Sequence, residues 1–316
     1  MAATDLLRDP DVRLVTFTGP GGTGKTRLAL AVAAALEEEL EDGAVFVDLS
    51  ALRGPDLVPQ TIGGELGVAE TSDASPLTTL RDALAERQML LVLDNFEGVT
   101  DAAPLVTELL GAAPGVSALV TSRVALRVRG EHEFPVPPLA VPAPDERRDL
   151  AALEQTPAVE LFVAHARAAR RDFVLTESNA RAVADVCVAV DGLPLALELA
   201  AARSNVLSPA ELRDRLERRL DVLTAGAPDL PARQRTLRAT IDWSHELLDN
   251  RGRELFARLA VFASGWSFES AAAVCEAAST TSRVSSTGAS SAVTAGTTVH
   301  RGFGCSRRSA STRSSA

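Results

Sequence analysis

Gly19-Pro20-Gly21-Gly22-Thr23-Gly24-Lys25-Thr26 matches G-x-x-x-x-G-K-[ST] at every fixed position. In a loop of this kind, backbone N–H groups wrap a phosphate chain. The lysine ammonium reaches the outer phosphates, and the hydroxyl after it faces Mg2+. Lys25 is the one lysine among 32 Lys and Arg residues, so this position selects against arginine. A planar, forked guanidinium cannot act as the compact point charge that a tight ring of amides accepts. The loop therefore predicts a nucleoside di- or triphosphate with Mg2+, held from Gly19 through Thr26 and on to Arg27.

The flanks have the order that the loop requires. Residues 13–18 (RLVTFT) form a short apolar run leading into the glycines, and residues 27–40 carry Leu28, Ala31, Val32, Ala35 and Leu36 at helical spacing. The N-terminus of that helix aims its dipole and free amides at the phosphates. Further along, 44–49, 89–93 and 117–121 read as strands, with 131–136 as an edge strand. The stretches 57–66, 77–86 and 102–110 read as helices. The continuous apolar run at 89–93 suits a strand buried on both faces of a parallel sheet. Strands alternating with helices predict a doubly wound α/β domain with a parallel sheet over residues 1–140.

Pro135, Pro137, Pro138, Pro142 and Pro144 make a stiff exit linker. An all-helical region follows from residue 146. Helices are expected at 157–170, 177–190, 194–205, 209–220, 234–248, 251–262 and 269–277. Thr156-Pro157 and Ser208-Pro209, the latter with Glu211 following, are helix-start signals. From residue 279 the composition changes abruptly, with 18 of 38 residues Ser or Thr and no apolar period, which predicts disorder.

Chemistry concentrates at three more places. Leu90-Leu91-Val92-Leu93-Asp94-Asn95 is an apolar strand ending in an acid, the pattern that holds Mg2+; Asp94 is expected to share the metal with Thr26. A strand-end aspartate can also be a simple turn residue. Asn95 stands where a second acid would serve as base, so Glu97 is the candidate for positioning the attacking water, against the plain reading of a solvated loop glutamate. Slow hydrolysis at best is expected. Thr121-Ser122-Arg123 ends the fourth strand, and Arg123 is the candidate sensor of a γ-phosphate, against a surface arginine covering a strand end. His132, His165 and His245 share no metal-ligand spacing, and Trp243 and Trp266 read as core anchors.

Net charge is −10, yet the segment 279–316 holds five arginines and no acid, leaving 27 basic against 42 acidic residues before it. An acidic body argues against strong nonspecific binding to nucleic acid. Cys187, Cys275 and Cys305 form no C-x-x-C, so neither a zinc site nor a disulfide framework is expected. No basic-then-apolar leader is evident, and no apolar run of about 18 residues occurs. A cytoplasmic protein without a membrane partner is expected.

Taken in order, GPGGTGKT (19–26), LLVLDNFE (90–97), TSR (121–123), GLPLALELAA (192–201), RTLRATIDWSHELLD (235–249) and LFARLAVFASGWSFESAAAVC (255–275) resemble the NB-ARC/STAND ATPases. The resemblance is to those carried by large actinobacterial regulators of the AfsR/SARP-like or LuxR-like type, and it runs from residue 11 to about 277. It implies a nucleotide-binding domain, a helical domain over 146–226 and an incomplete winged-helix domain over 228–277. It also implies a switch in which ADP holds a closed state and ATP an open, assembling one. Pro194 of the GLPLA motif would then contact the nucleotide. Self-association or fused regulatory domains are the implied partners, with DNA engaged only indirectly. Relatives of this group carry Met-Leu-Glu-Thr-Ile-Arg-Glu-Tyr-Ala downstream. One encoding of that phrase, read one base later, gives the sequence of residues 305–313, so the segment from about 279 is expected to be a frameshifted reading.

Three alternatives stay open on the residues. The chain could bind nucleotide without hydrolysing or switching. It could be a small-molecule kinase, although that needs an acceptor site and an arginine-rich lid. It could bind DNA through the winged helix, which the acidic body opposes.

Overall fold

A computed structural model describes residues 2–69 and 74–216, together with Arg253 and Ala257. The chain divides into two units, Met1–Pro138 and the remainder from Leu139.

The first unit runs α1 (Ala2–Arg8), β1 (Leu14–Thr18), α2 (Lys25–Leu36), β2 (Ala44–Asp48), α3 (Val58–Glu65), α4 (Pro76–Leu84), β3 (Met89–Asp94), α5 (Ala103–Ala112), β4 (Val116–Thr121) and β5 (Glu131–Pro135). The strands form one sheet in the order β2-β3-β4-β1-β5, parallel throughout. Every residue of β1 and β3 is buried. Within those apolar runs the pleat still sorts side chains by parity, because successive Cβ atoms point to opposite faces. Leu90 and Val92 pack with Val15, Phe17, Val32 and Leu36 under α2. Leu91 and Leu93 pack with Ile62, Leu80 and Val106 under α3, α4 and α5. The strands therefore need helices on both faces.

The register sets what gathers at the strand ends. Asp48 pairs with Asp94, Phe17 with Thr121, and Thr18 with Pro135. The crevice outside the carboxyl ends of such a sheet is where ligands bind. The edge strand β5 is aimed by a local device: the carboxylate of Glu131 accepts from the N–H of Leu126 and of Arg127, both at 2.7 Å. Arg127 itself sits at φ 59°.

In the second unit the described helices are α6 (Leu150–Glu154), α7 (Pro157–Ala169), α8 (Glu177–Ala189), α9 (Pro194–Ala202) and α10 (Pro209–Leu216). Their core includes Phe162, Phe173, Val183, Leu197 and Leu212. The Ser208/Glu211 signal forms a reciprocal cap, with Ser208 N–H on Glu211 Oε2 at 2.8 Å and Glu211 N–H on Ser208 Oγ at 3.3 Å. Thr156 occupies the N-cap of α7 but does not cap it with its side chain. Its hydroxyl donates backwards to Ala152 O at 3.0 Å, tying α6 to α7 instead.

Two expectations are corrected. The loop helix begins at Lys25 rather than at residue 27 and ends at Leu36. The three glutamates 37–39 tighten into a 3-10 turn, since acids at a helix C-terminus oppose its dipole. Helix α1, seven residues long, is too short to show a period and was not anticipated. The expected helices 234–248 and 269–277, the winged-helix region 228–277 apart from the helical Arg253 and Ala257, and the tail 279–316 lie outside the described residues. So do His245, Trp243, Trp266, Cys275 and Cys305. Among the described residues no helix is long and apolar enough to cross a membrane.

Candidate functional site

The loop after β1 is built on positive backbone angles. Gly22 and Gly24 stand at φ 85° and 87°, in the left-handed region that glycine occupies without strain. Gly24 is the N-cap of α2, and no side chain caps that helix. No acidic residue lies in its first turn either. The amides of Gly24, Lys25, Thr26 and Arg27 are those that an α-helix leaves without intrahelical partners. An uncapped helix start ringed by glycines offers a place where the oxygens of an anion could serve as the cap.

Lys25 is 8% exposed, an unusual place for an ammonium. Its Nζ donates to Gly19 O at 2.8 Å and Pro20 O at 2.9 Å. Burial pushes its pKa from 10.5 down to about 8; Arg123 adds to that depression, while Glu97 and Asp94 oppose it. Thr23 holds the loop from within, its hydroxyl donating to Pro20 O at 3.1 Å. Arg27 is exposed on the first turn of α2.

Two opposite pH slopes follow. Between about 8 and 10.5 the unfolded chain holds a proton at this lysine that the folded chain has lost, so folding stability rises with pH across that window. The gain is at most about 3 kcal/mol. Affinity for a phosphate-bearing ligand at this lysine is expected to fall over the same range, because phosphate needs the ammonium form. Thermal unfolding and calorimetric titration from pH 7 to 10 measure both. Parallel rather than opposed slopes would count against this placement of Lys25.

Asp94 receives several donors. Thr26 Oγ1 donates to its Oδ1 at 2.8 Å, and Thr121 Oγ1 donates to the same oxygen at 2.5 Å. Asn95 Nδ2 donates to Oδ2 at 2.6 Å and to Asp48 Oδ1 at 3.0 Å. Asn95 also gives its backbone N–H to Thr121 Oγ1 at 3.0 Å, from a left-handed conformation at φ 61°. Burial raises the Asp94 pKa, the hydroxyls of Thr121 and Thr26 counter it, and the nearby Asp48 and Glu97 charges reinforce the rise. A metal ion at this carboxylate would relieve that penalty. Mg2+ commonly uses one or two carboxylates together with substrate phosphates. The Thr26 and Asp94 oxygens fit that need, although no cluster of three His, Cys, Asp or Glu occurs among the described residues.

Glu97 and Arg123 face one another. Arg123 Nε donates to Glu97 Oε1 at 3.1 Å, and their side chains are only 14% and 8% exposed, respectively. Glu97 is thus no solvated loop residue. Its other oxygen, Oε2, is buried without a hydrogen-bond partner.

Of the residues singled out from the sequence, Lys25, Thr26, Asp94, Glu97 and Arg123 come together at the carboxyl ends of β1, β3 and β4. Pro194 lies in the second unit, at the start of α9. The structure adds the Thr121 hydroxyl, Asp48 and the clamping role of Asn95 to this group. One signal was present: β2 and β3 both end in Asp, in VFVD and LVLD. Elsewhere, Cys187 is buried with its pKa pushed up to about 12, an inert thiol. His165 Nε2 lies 3.6 Å from Glu198 Oε1 at the second unit's surface.

Residues 11–118 match the sequence model of a family described as the AAA domain. Over 263 residues the chain is 41% identical to a "Putative HTH-type transcriptional regulator" of Mycobacterium tuberculosis, a match covering 83% of this chain and 28% of the relative. It is 33% identical over 272 residues to "Regulatory protein AfsR" of Streptomyces griseus, covering 81% of this chain and 24% of that protein. The chain thus spans roughly a quarter of the length of these curated relatives. Among solved structures, a STAND protein with a tetratricopeptide repeat sensor from Pyrococcus horikoshii aligns over 93% of this chain and 38% of its own, at 14% identity and a TM-score of 0.39.

Proposed function

We propose, from the premise that residues 11–118 are an AAA-type P-loop domain, that this chain binds adenine nucleotide with Mg2+ and serves as the nucleotide-controlled switch of a transcriptional regulator. The observation that carries the reading is the convergence of an uncapped glycine-rich helix start, one buried lysine and a Thr26–Asp94 oxygen pair.

In this reading the amides at the start of α2 and the Lys25 ammonium bind the phosphate chain. Thr26 and Asp94 hold Mg2+, which neutralises phosphate charge. Thr121 and Asn95 fix the Asp94 carboxylate, leaving its Oδ1 toward Thr26. Arg123 reports the γ-phosphate. Glu97 orients water for slow hydrolysis once its ion pair with Arg123 opens. The contact of Pro194 with nucleotide, taken from the resemblance, belongs to the same proposal, as do the domain extents 146–226 and 228–277. A ligand moves a conformational balance only by its differential affinity for the two states, about 5.5 kcal/mol to invert a 1:99 ratio. A γ-phosphate met by buried Lys25 and Arg123 charges, with a metal ion, supplies interactions on that scale.

Titration of the nucleotide-stripped chain with ADP and ATP, with and without magnesium, tests the reading. Asp94→Asn is expected to abolish the magnesium-dependent part of the affinity, roughly ten- to a hundredfold, while leaving the magnesium-free part near that of the parent. Thr121→Val is expected to act in the same direction more weakly. Magnesium dependence unchanged in Asp94→Asn would refute the metal assignment.

A second reading, binding without turnover, is favoured by Asn95 occupying the place of a second acid and by the Arg123 hold on Glu97. Phosphate release compared with a Lys25→Ala control separates the two, since equal release from both proteins leaves only binding.

A further inference from the structure

We propose that Asp48 is a positioning residue for the candidate metal-binding carboxylate of Asp94, acting through the side-chain amide of Asn95. The inference rests on the reading of Thr26 and Asp94 as a metal site and adds the strand-end residue that orients it.

Asp48 and Asp94 close two neighbouring strands, and in the register of β2 on β3 they stand opposite one another. Paired positions send their side chains to the same face of the sheet. Two carboxylates so placed repel. The Asn95 amide lies between them, its Nδ2 donating to Asp48 Oδ1 at 3.0 Å and to Asp94 Oδ2 at 2.6 Å. An ionised carboxylate only accepts, whereas a carboxamide nitrogen carries two N–H groups. Each acid therefore takes one proton of the same NH2 group. The reverse orientation would set the amide oxygen against two anions, so the two acids together dictate which way the amide faces.

Neither end of this bridge is loose. Ser50 holds Asp48 from the far side, its N–H donating to Oδ1 and its hydroxyl to Oδ2, both at 2.9 Å. Asn95 sits at φ 61° and gives its backbone N–H to Thr121 Oγ1 at 3.0 Å. At Asp94 the amide occupies Oδ2 and leaves Oδ1 to the hydroxyls of Thr26 and Thr121. The torsion that turns a carboxamide is broad and roughly two-fold. Without the Asp48 acceptor nothing beyond Asp94 itself fixes that torsion, and the Asp94 carboxylate loses a donor of set direction. Its Oδ1 is then less firmly aimed at Thr26. The backbone stays tied, since the Leu49 N–H donates to Asp94 O at 3.0 Å whatever residue 48 is. Asp48 is exposed, so its truncation leaves no hole in the core.

Calorimetry of ADP on the full chain, with and without magnesium, tests this in Asp48→Ala, Asp48→Asn, Asn95→Gly and the Asp48→Ala/Asn95→Gly double variant. Glycine serves at residue 95 because it accepts the positive φ. Asp48→Ala is expected to lower the magnesium-dependent part of the affinity roughly tenfold. Asp48→Asn is expected to stay near the parent: an amide oxygen still accepts from Asn95, and the Ser50 hydroxyl can turn to accept from the amide nitrogen. In the Asn95→Gly background, Asp48→Ala is expected to add nothing, because its route to Asp94 is gone. A residue acting by charge alone would lose affinity equally as Ala and as Asn, in either background, and that result overturns the proposal. Parental magnesium dependence in Asp48→Ala overturns it too.

The bridge also has a readout without metal or nucleotide. Asparagine stands only at residues 95, 179, 205 and 250. Selective isotope labelling of asparagine therefore gives few side-chain amide signals, and the one lost in Asn95→Gly belongs to residue 95. In Asp48→Ala those amide protons are expected to exchange with solvent roughly tenfold faster, and in Asp48→Asn at the parental rate. An unchanged rate in Asp48→Ala shows that Asp48 does not hold the amide, and the proposal falls while the metal reading stands. A parent chain without magnesium dependence removes the metal reading, and the clamp's purpose with it, even where the exchange rates follow expectation.

Discussion

Lys25→Met is expected to lower affinity for ADP and ATP by at least about a hundredfold, while leaving the stability of the free protein within about 1 kcal/mol of the parent. The two halves of this result have different causes. Nucleotide binding needs a point charge at the phosphates, which a thioether cannot supply. Folding does not need it: the ammonium donates to the Gly19 and Pro20 carbonyls in a buried position, and burial, reinforced by Arg123, pushes its pKa down. Methionine fills a similar volume without that desolvation cost. Isothermal titration and chemical denaturation of the same preparation read both quantities. A variant that retains parental affinity would remove the basis of the functional reading. A variant that loses several kcal/mol of stability would show instead that the lysine is structural.

The second large effect lies in the Glu97–Arg123 pair. Arg123→Ala strands a glutamate whose side chain is 8% exposed and whose Oε2 already has no partner. Breaking a buried pair from one side costs about 3–5 kcal/mol, because the remaining charge is left uncompensated. The double replacement Arg123→Ala with Glu97→Ala is expected to recover most of that loss. The recovery measures the coupling between the two side chains. Denaturant unfolding of the parent, both single variants and the double variant closes the cycle. Additive losses would show that the two side chains do not act as a pair. The same cycle bears on function, since whatever draws Arg123 away must offset the cost of leaving Glu97 alone.

Much of the site was legible because its signals are local. The loop, its strand and its helix occupy one continuous stretch, and glycine at residues 22 and 24 encodes backbone angles directly. The LVLD ending marked Asp94 because an apolar strand that stops at an acid, common by itself, stands here downstream of the glycine loop. Glu97 was harder. Its position in the sequence suits a solvated turn as well as a site, and only its neighbour from β4 distinguishes the two. The role of Thr121 is not legible in the sequence, because a threonine closing a strand is ordinary by itself. It gains its role from lying beside Asp94, 27 residues earlier in the chain.

The sequence by itself determined the glycine loop, the lysine within it and the strand that ends in the acid, since each depends on residues within one or two turns of chain. Only the tertiary structure decided that β4 lies between β1 and β3, and hence that Thr121 and Arg123 reach Asp94 and Glu97. The physical reason lies in the strands themselves. Buried parallel strands are nearly interchangeable apolar runs, so their order is set by how helices cover both faces of the sheet, and hydrogen bonds between strand ends follow from that order.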